Sequence, residues 1–528
     1  MQEKYNLIEK PWIPCKLINN ELRYLGLKNV FLMASEIKEI QAELPPMTAS
    51  ILFILLAILY RTQKIETDND WEELWENNTF NQEELEKYFN DWYDRFDLFD
   101  DEHPFLQDPK IGKREKDLKN LKGGEVQIKP ITSLILHSSS GDAATLFDHT
   151  LEDEGKIFNL DEISRLLLMF QNFSLGGMTS ASVSIDKYYK DSPHARGVTF
   201  FIRGINLFQT LILNLIARNE WTIKSTSKDI PAWENEDPFE DDRINPEGMI
   251  DFLTWQSRRI QLIPEVVNGR TIIRSLLVNP GLGISDELIN PFFSVFLNEV
   301  KTGKIEKKIL RFSESKALWR DSTVLVEPSS KLRKPPETLT WVNSLRAENI
   351  VQGEISLLAF GLCTDPGKKK AFFYRAETFN FPIIYLKNEG LRNLLNRGLD
   401  LAKDVHAQLW GALKQMAGLI VAFNADKSEG RKASPIDEQN LMNHWGTEDY
   451  YWNNLEVLFY RFLHSLPENA EEALEDWKKD LEITAVRSFD YAVTYAGNSV
   501  PVMKASARGK RQLFRGIHKI LYPNRKEG

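Results

Sequence analysis

From residue 388 to residue 522 the chain repeats apolar residues at helical spacing in four long runs, over 388–424, 437–465, 469–496 and 502–522. In the first run Leu391, Leu394, Leu401, Val405, Leu409, Met416 and Ile420 share one face. In the third, Leu474, Trp477, Leu481, Val486, Phe489 and Val493 do the same. An apolar stripe of this kind has to be buried against another, and short links between four such helices point to a four-helix bundle. Nothing before Tyr385 has this regularity. The expected class is therefore α+β, with a mixed α/β domain over 1–385 followed by a C-terminal four-helix bundle over 386–528. At 528 residues the chain also exceeds the size at which one core usually divides.

The first region alternates short β-like runs (12–17, 21–25) with helical patterns over 47–63 and 83–96. In the second pattern Leu85, Tyr88, Phe89, Trp92 and Phe96 keep helical spacing. Residues 110–129 are charged, contain Gly123-Gly124 and read as a mobile connection. Residues 226–248 are acidic, contain proline and read as a surface loop. The stretches 260–278 and 308–326 look β-rich and irregular. Residues 355–363 and 370–377 form a strand pair joined by Asp365-Pro366-Gly367, a turn sequence. The apolar run Ile51 to Tyr60 is too short to span a bilayer and reads as a buried helix. With no signal-peptide pattern and only two cysteines, Cys15 and Cys363, a cytoplasmic protein without a membrane anchor is expected.

One stretch, 130–204, sets two loops around a well-specified helix. Asn159 and Glu162 stand three apart, as a cap and its reciprocal partner do. Ile163, Leu166, Leu167, Phe170 and Phe173 follow at helical spacing, and Gly176-Gly177 should stop the helix near Ser174. A loop without side chains on a rigid base lets another molecule approach the backbone.

Catalytic signatures are missing. The sequence has no G-x-S-x-G, no phosphate-binding Gly-Lys-Ser/Thr, no H-E-x-x-H and no C-x-x-C. Gly281-x-Gly283 lacks the third glycine of a dinucleotide loop. Asp148-His149 could belong to a metal-dependent nuclease or other hydrolase, but adjacent side chains rarely converge on one ion without further ligands. No cofactor or metal is expected. The net charge of −10 argues against a protein that coats nucleic acid indiscriminately, yet Lys504, Arg508, Lys510, Arg511, Arg515 and Lys519 crowd the C-terminal end. A solvated basic tail remains the alternative.

The order of A-T-L-F-D-H (Ala144 to His149), L-G-G (Leu175 to Gly177) and A-R-G…R-G-x-N-L-F-x-T (Ala195 to Thr210) resembles the CasA-type large subunit of the type I-E CRISPR Cascade complex. The opening N-L-I-E-K-P-W-I-P (Asn6 to Pro14) and E-H-P-F-L-Q (Glu102 to Gln107) match the same family. The resemblance implies a non-catalytic subunit that inspects the motif flanking a double-stranded DNA target and starts strand separation. It further implies docking on crRNA-bearing backbone, small and handle-binding subunits, then recruitment of a separate helicase-nuclease. Carried over, the first DNA-contacting loop is Leu146, Phe147 and Asp148, and the glycine loop is Gly176 and Gly177. A bare backbone suits the narrow minor groove, where carbonyls or a carboxylate can meet the guanine amino group. Leu146 and Phe147 could equally anchor the core, and Asp148 could cap a neighbouring amide.

A basic finger falls on Arg270 in V-N-G-R (Val267 to Arg270); the cysteines that some relatives carry there are missing, so no zinc ribbon is implied. A hairpin wedge falls on W-V-N-S-L-R (Trp341 to Arg346), with Asn343 and Ser344 at its tip, both shorter than the glutamine some relatives use. Arg508, Lys510 and Arg511, after the small residues Ala505 to Ala507, would grip phosphates.

Overall fold

The computed structural model describes residues 4–119, 125–135, 158–176, 181–183, 189–240, 242–299, 305–313, 317–321, 333–351, 355–364, 371–381, 384–424 and 434–523. The chain divides into two compact units. The first comprises Met1–Leu318 and Pro328–Phe381; the second comprises Trp319–Glu327 and Pro382–Gly528.

The first unit is mixed α/β, built of helices and three-stranded antiparallel sheets. Helices α1 (Leu27–Leu32), α2 (Pro45–Thr62), α3 (Asp68–Asn77) and α4 (Gln82–Asp91) open it. Proline at the start of α2 suits a position whose N–H would be unpaired anyway. The helix is long and apolar enough to cross a bilayer, yet it is buried along nearly its whole length as the core helix of the unit. Against it pack α6 (Leu160–Phe173), α7 (Leu207–Leu213) and α8 (Met249–Leu253); a one-turn α5 (Glu115–Leu118) and a later α9 (Glu337–Ala347) complete the set.

The strands are β1 (Ile13–Leu17), β2 (Leu22–Leu25), β3 (Ile37–Ile40), β4 (Lys129–Pro130), β5 (Thr199–Arg203), β6 (Arg258–Val267) and β7 (Arg270–Pro280). After them come β8 (Val295–Glu299), β9 (Ile305–Ile309), β10 (Arg333–Lys334), β11 (Ile355–Thr364) and β12 (Ala371–Phe381). They pair in the orders β2-β1-β3, β4-β7-β6, β10-β8-β9 and β12-β11-β5. The strand pair expected around 355–377 is β11–β12, in register from Ile355 opposite Phe381 to Cys363 opposite Phe373, with a shift before Thr364.

Three sequence expectations change. Residues 260–278 are not irregular: β6 and β7 make one long hairpin turned by Asn268 and Gly269, both left-handed at φ 52° and 74°. An Asn-Gly pair with both residues at positive φ is the tight turn whose twist matches two strands. The register slips only at Ile263/Pro264, where proline cannot donate to the ladder. The charged 110–119 segment is packed rather than loose. Asp117 is fully buried and receives Arg259 at 2.5 and 2.9 Å, while Asp108 receives Arg259 and Arg114, each at 2.6 Å. The acidic 226–240 segment is irregular but tied down: Arg61 reaches Glu234 at 2.8 Å, Arg218 reaches Asp229 at 3.2 Å and Arg114 reaches Asp237 at 2.7 Å. Asp229, Glu234, Glu236 and Asp237 are ion-pair partners, and Trp233 and Phe239 are buried.

The second unit is helical: α10 (Ile384–Lys387), α11 (Glu389–Asn424), α12 (Pro435–Trp445), α13 (Thr447–Ser465), α14 (Ala470–Ala496) and α15 (Val500–Leu521). The second of the four runs breaks at Gly446, which is left-handed at φ 60° and serves as C-cap of α12. Small residues bring the long helices together. A Cβ on Gly509 of α15 would lie 2.8 Å from the Phe489 ring and 3.0 Å from the Ala412 carbonyl. Buried polar groups point across the seams: Trp477 Nε1 donates to the Gly398 carbonyl at 2.8 Å and Tyr451 Oη to that of Ala402 at 3.0 Å. Trp319 stacks on Phe459 with ring centres 4.7 Å apart.

Candidate nucleic-acid interface

α6 starts at Asn159, but the Asn159 side chain makes no capping bond, so the reciprocal pair with Glu162 is not what fixes it. Arg165 does that work. Its guanidinium, buried, reaches Glu43 at 2.6 and 2.9 Å, Asp161 at 3.1 Å and the Trp12 carbonyl. The helix ends at Phe173, and Ser174 is already extended at φ −66°, ψ 133°.

Gly176 is therefore not a left-handed cap. It is glycine because the 189–191 segment crosses its α-carbon: a Cβ there would sit 2.6 Å from the Tyr189 carbonyl oxygen and 2.8 Å from the Asp191 nitrogen. The Gly176 N–H donates to Asp191 Oδ1 at 2.6 Å, and Arg196 Nε donates to the other oxygen of the same carboxylate. Under the loop, Gln171 reaches Gln256 at 3.1 Å and the Arg258 carbonyl at 2.8 Å, joining α6 to the start of β6. Gly176 borders a cavity of about 410 Å³ with Phe293 and Asn290 on its wall and Lys190, Arg196 and Lys307 around it. Gly177 lies outside the described residues, as do Leu146, Phe147, Asp148 and His149.

Behind this loop His194, next to the Ala195-Arg196-Gly197 motif, is fully buried and stacks on Phe53 with ring centres 4.1 Å apart. Its Nδ1 lies 3.2 Å from Thr199 Oγ1 and 3.1 Å from Asn290 Nδ2. Burial pushes the imidazole down to about 3, so it is neutral at physiological pH and belongs to the core.

The sequence expectation of a hairpin wedge at 341–346 fails. These residues lie inside α9, because Trp341, Val342 and Leu345 at helical spacing bury that face. Ser344 is exposed and bonds back to the Thr340 carbonyl at 3.3 Å; Asn343 is half-buried. Neither residue sits at a turn. Among the described residues, the long hairpin nearest in sequence to a basic candidate is β6–β7, with Arg270 at its turn.

Arg270 stands immediately after the Asn268–Gly269 turn, exposed at the tip of β6–β7 and opposite Val267. The hairpin was legible as Asn-Gly between β-prone runs, the one signal in 260–278 that overrides the irregular appearance.

On α15 the basic residues sort by face. Lys504, Arg508, Arg511, Arg515 and Lys519 recur every three or four positions and are all exposed. They form a cationic stripe of about 22 Å at the rise of an α-helix. Half-exposed Phe514 lies beside it. Lys510 faces elsewhere and is held by Asp490 at 2.6 and 2.8 Å, so of the three expected phosphate contacts only Arg508 and Arg511 belong to the stripe. Lys504, Arg515 and Lys519 join them, as a helical wheel would have revealed.

Among the described residues no three His, Cys, Asp or Glu side chains converge as metal ligands. Both cysteines are buried and neither is in a disulfide, and burial raises the Cys15 thiol to about 12, far from thiolate chemistry.

The chain as a whole is similar to known proteins. The profile of CRISPR-associated protein Cse1 matches residues 6–488. The CRISPR-associated protein CasA/Cse1 of Thermus thermophilus is 27% identical over 534 aligned positions, covering 97% of each chain. The fold superposes on Cse1 from Acidimicrobium ferrooxidans with a TM-score of 0.78 at 19% identity, over 99% of both chains. It also superposes on a chain of a CRISPR RNA-guided surveillance complex with a TM-score of 0.75 at 19% identity, over 97% of this chain and 100% of that one. Matched along nearly its whole length, the chain belongs to the CRISPR-associated Cse1 family.

Proposed function

We infer that this chain serves, as the large subunit of an RNA-guided Cascade complex, to inspect the short motif flanking a double-stranded DNA target and begin parting its strands. It does so without making or breaking a bond. The guide RNA supplies sequence specificity by pairing, and the flanking motif is read by protein. The observation that carries this reading is the cavity beside Gly176, in the loop at the end of a buried helix, where Lys190, Arg196 and Lys307 stand together with Asp191 and Asp286. Gly177 continues that loop, Leu146, Phe147 and Asp148 supply a second one, and Arg270 acts as a finger from its hairpin tip. The α15 stripe grips phosphates and so makes binding salt-dependent. Partners are the crRNA-bearing backbone, small and handle-binding subunits, as the likeness to a surveillance-complex chain supports, and a helicase-nuclease that cuts after binding. The chain works in the cytoplasm, on DNA that has entered the cell.

A photo-crosslinking side chain at Lys190, exposed on the lip of the cavity, tests this reading. In the assembled complex it should crosslink to target duplex at the flanking motif and nowhere else. Crosslinks only to other subunits, or divalent-dependent DNA cleavage by the purified chain, would overturn it; the latter would restore the Asp148–His149 hydrolase alternative.

A further inference from the structure

Two adjacent arginines open β6, and their surroundings differ. Arg259 is held by carboxylates, Asp108 and Asp117, at 2.6 and 2.5 Å. Arg258 is only 2% exposed and forms no ion pair with any described residue. Its Nη1 donates to the Ser257 carbonyl at 2.8 Å, and its Nη2 reaches the Leu175 carbonyl at 3.2 Å and that of Ser174 at 3.4 Å. Its guanidinium lies over the Tyr189 ring, 5.0 Å from the ring centre.

Burying a cation without a carboxylate in direct contact is expensive, so the position calls for a reason. The Ser174 and Leu175 carbonyls stand just beyond the C-terminal end of α6, where the helix dipole favours positive charge. Ser174 and Leu175 are the two residues that precede Gly176. From the other side Asp191 accepts the Gly176 N–H, and Arg196 holds Asp191. Three successive residues, 174, 175 and 176, are thus each bound through their backbone by a charged side chain from elsewhere in the unit.

We propose that Arg258 and Asp191, the latter steadied by Arg196, are positioning residues that fix the direction in which the glycine loop meets the flanking motif. The inference rests on reading that loop as a DNA contact. Arg258 is buried and touches no DNA. With Asp191 it removes, at residues 174–176, conformational freedom that would otherwise be lost on binding.

The test uses the full chain assembled with its crRNA-bearing partners, carrying Asp191→Ala, Asp191→Asn, Arg258→Met or Arg258→Lys. Affinity is measured across a library of flanking motifs, alongside assembly and the thermal midpoint. Asp191→Ala and Arg258→Met should weaken binding to the preferred motif about tenfold, as loss of a charged hydrogen bond does, and leave poor motifs nearly unchanged. Asp191→Asn, which keeps an acceptor for the Gly176 N–H, should retain most of the preference; Arg258→Lys, whose single nitrogen cannot span the Ser257 carbonyl and the two loop carbonyls as the guanidinium fork does, should not. A purely structural role would lower the midpoint and weaken all motifs alike, and that result overturns the proposal. Should Arg258→Met fail to assemble, the half-buried Asp191 variants decide. Gly177→Asp runs in parallel. If it abolishes the preference while Asp191→Ala does not, the positioning inference alone falls; if it leaves the preference intact, the loop is not a reader and both fall.

Discussion

The loop-bearing unit and the helical unit prepare their candidate DNA contacts by opposite means. In the first, Gly176 is held by residues distant in sequence: Arg258 reaches back 83 positions to Leu175, and Asp191 closes a 15-residue span. In the second, five cations share one face of a single helix, and the period of that helix alone aligns them. Non-local polar contacts can set a direction to a fraction of an ångström, which discrimination needs. Exposed side chains on a helix face supply charge without fixed geometry, which gives grip without sequence preference. Changes to the supports of the loop should therefore alter what is recognised, and changes to the stripe should alter how tightly anything is held.

The largest effect is expected in the buried ion cluster. Arg259→Met leaves Asp117 buried without its cation and Asp108 with Arg114 alone, and should destabilise the loop-bearing unit by about 3–5 kcal/mol in chemical denaturation. A cost below about 1 kcal/mol would mean that the cluster does not tie residues 108–118 to β6. Next comes the stripe. Arg508→Gln with Arg511→Gln should make the log–log salt dependence of target binding shallower by about 0.9 for each phosphate that is no longer neutralised, with stability within about 0.5 kcal/mol of wild type. An unchanged salt slope would remove the stripe from the interface.

A smaller effect separates the two units by pH. Burial lowers His194 to about 3 and His406, in the bundle, to about 4, each from an ordinary 6.5. Below 6.5 the unfolded chain takes up protons that these buried rings refuse. The stability they contribute is thus complete above 6.5 and is lost as pH falls toward 3 for His194 and 4 for His406. The slope is at most about 1.4 kcal/mol per pH unit for each group. His194→Phe should flatten it for the loop-bearing unit and leave the helical unit unchanged; an undiminished slope would show that His194 titrates normally. The smallest effect belongs to Lys510→Gln, which removes an exposed pair with Asp490 and should cost no more than about 1 kcal/mol in the thermal unfolding of the bundle.

What the sequence disclosed follows the same division. Mixed α/β structure followed by helices was legible because apolar spacing carries it, and the break at Gly446 was missed because glycine inside a periodic run is often tolerated. Gly176 was legible as a special position, but for a different reason than the one that holds. A helix stop is a local event, whereas the crossing of Tyr189 and Asp191 over its α-carbon is not visible in neighbouring residues. Asn343 and Ser344 misled for the reverse reason. Motif likeness placed a hairpin there, while Trp341, Val342 and Leu345 already spelled a buried helical face. Arg258 gave no signal at all, since two adjacent arginines at a strand start look alike until one meets carboxylates and the other carbonyls.

The most direct test measures affinity of the assembled complex across a randomised flanking-motif library for wild type, Gly177→Asp and the Arg508→Gln/Arg511→Gln pair. We expect Gly177→Asp to assemble normally and lose the motif preference, while the arginine pair weakens every motif by the same factor and keeps their ranking. An unaltered ranking in Gly177→Asp would contradict the claim that bare backbone at the end of α6 reads DNA.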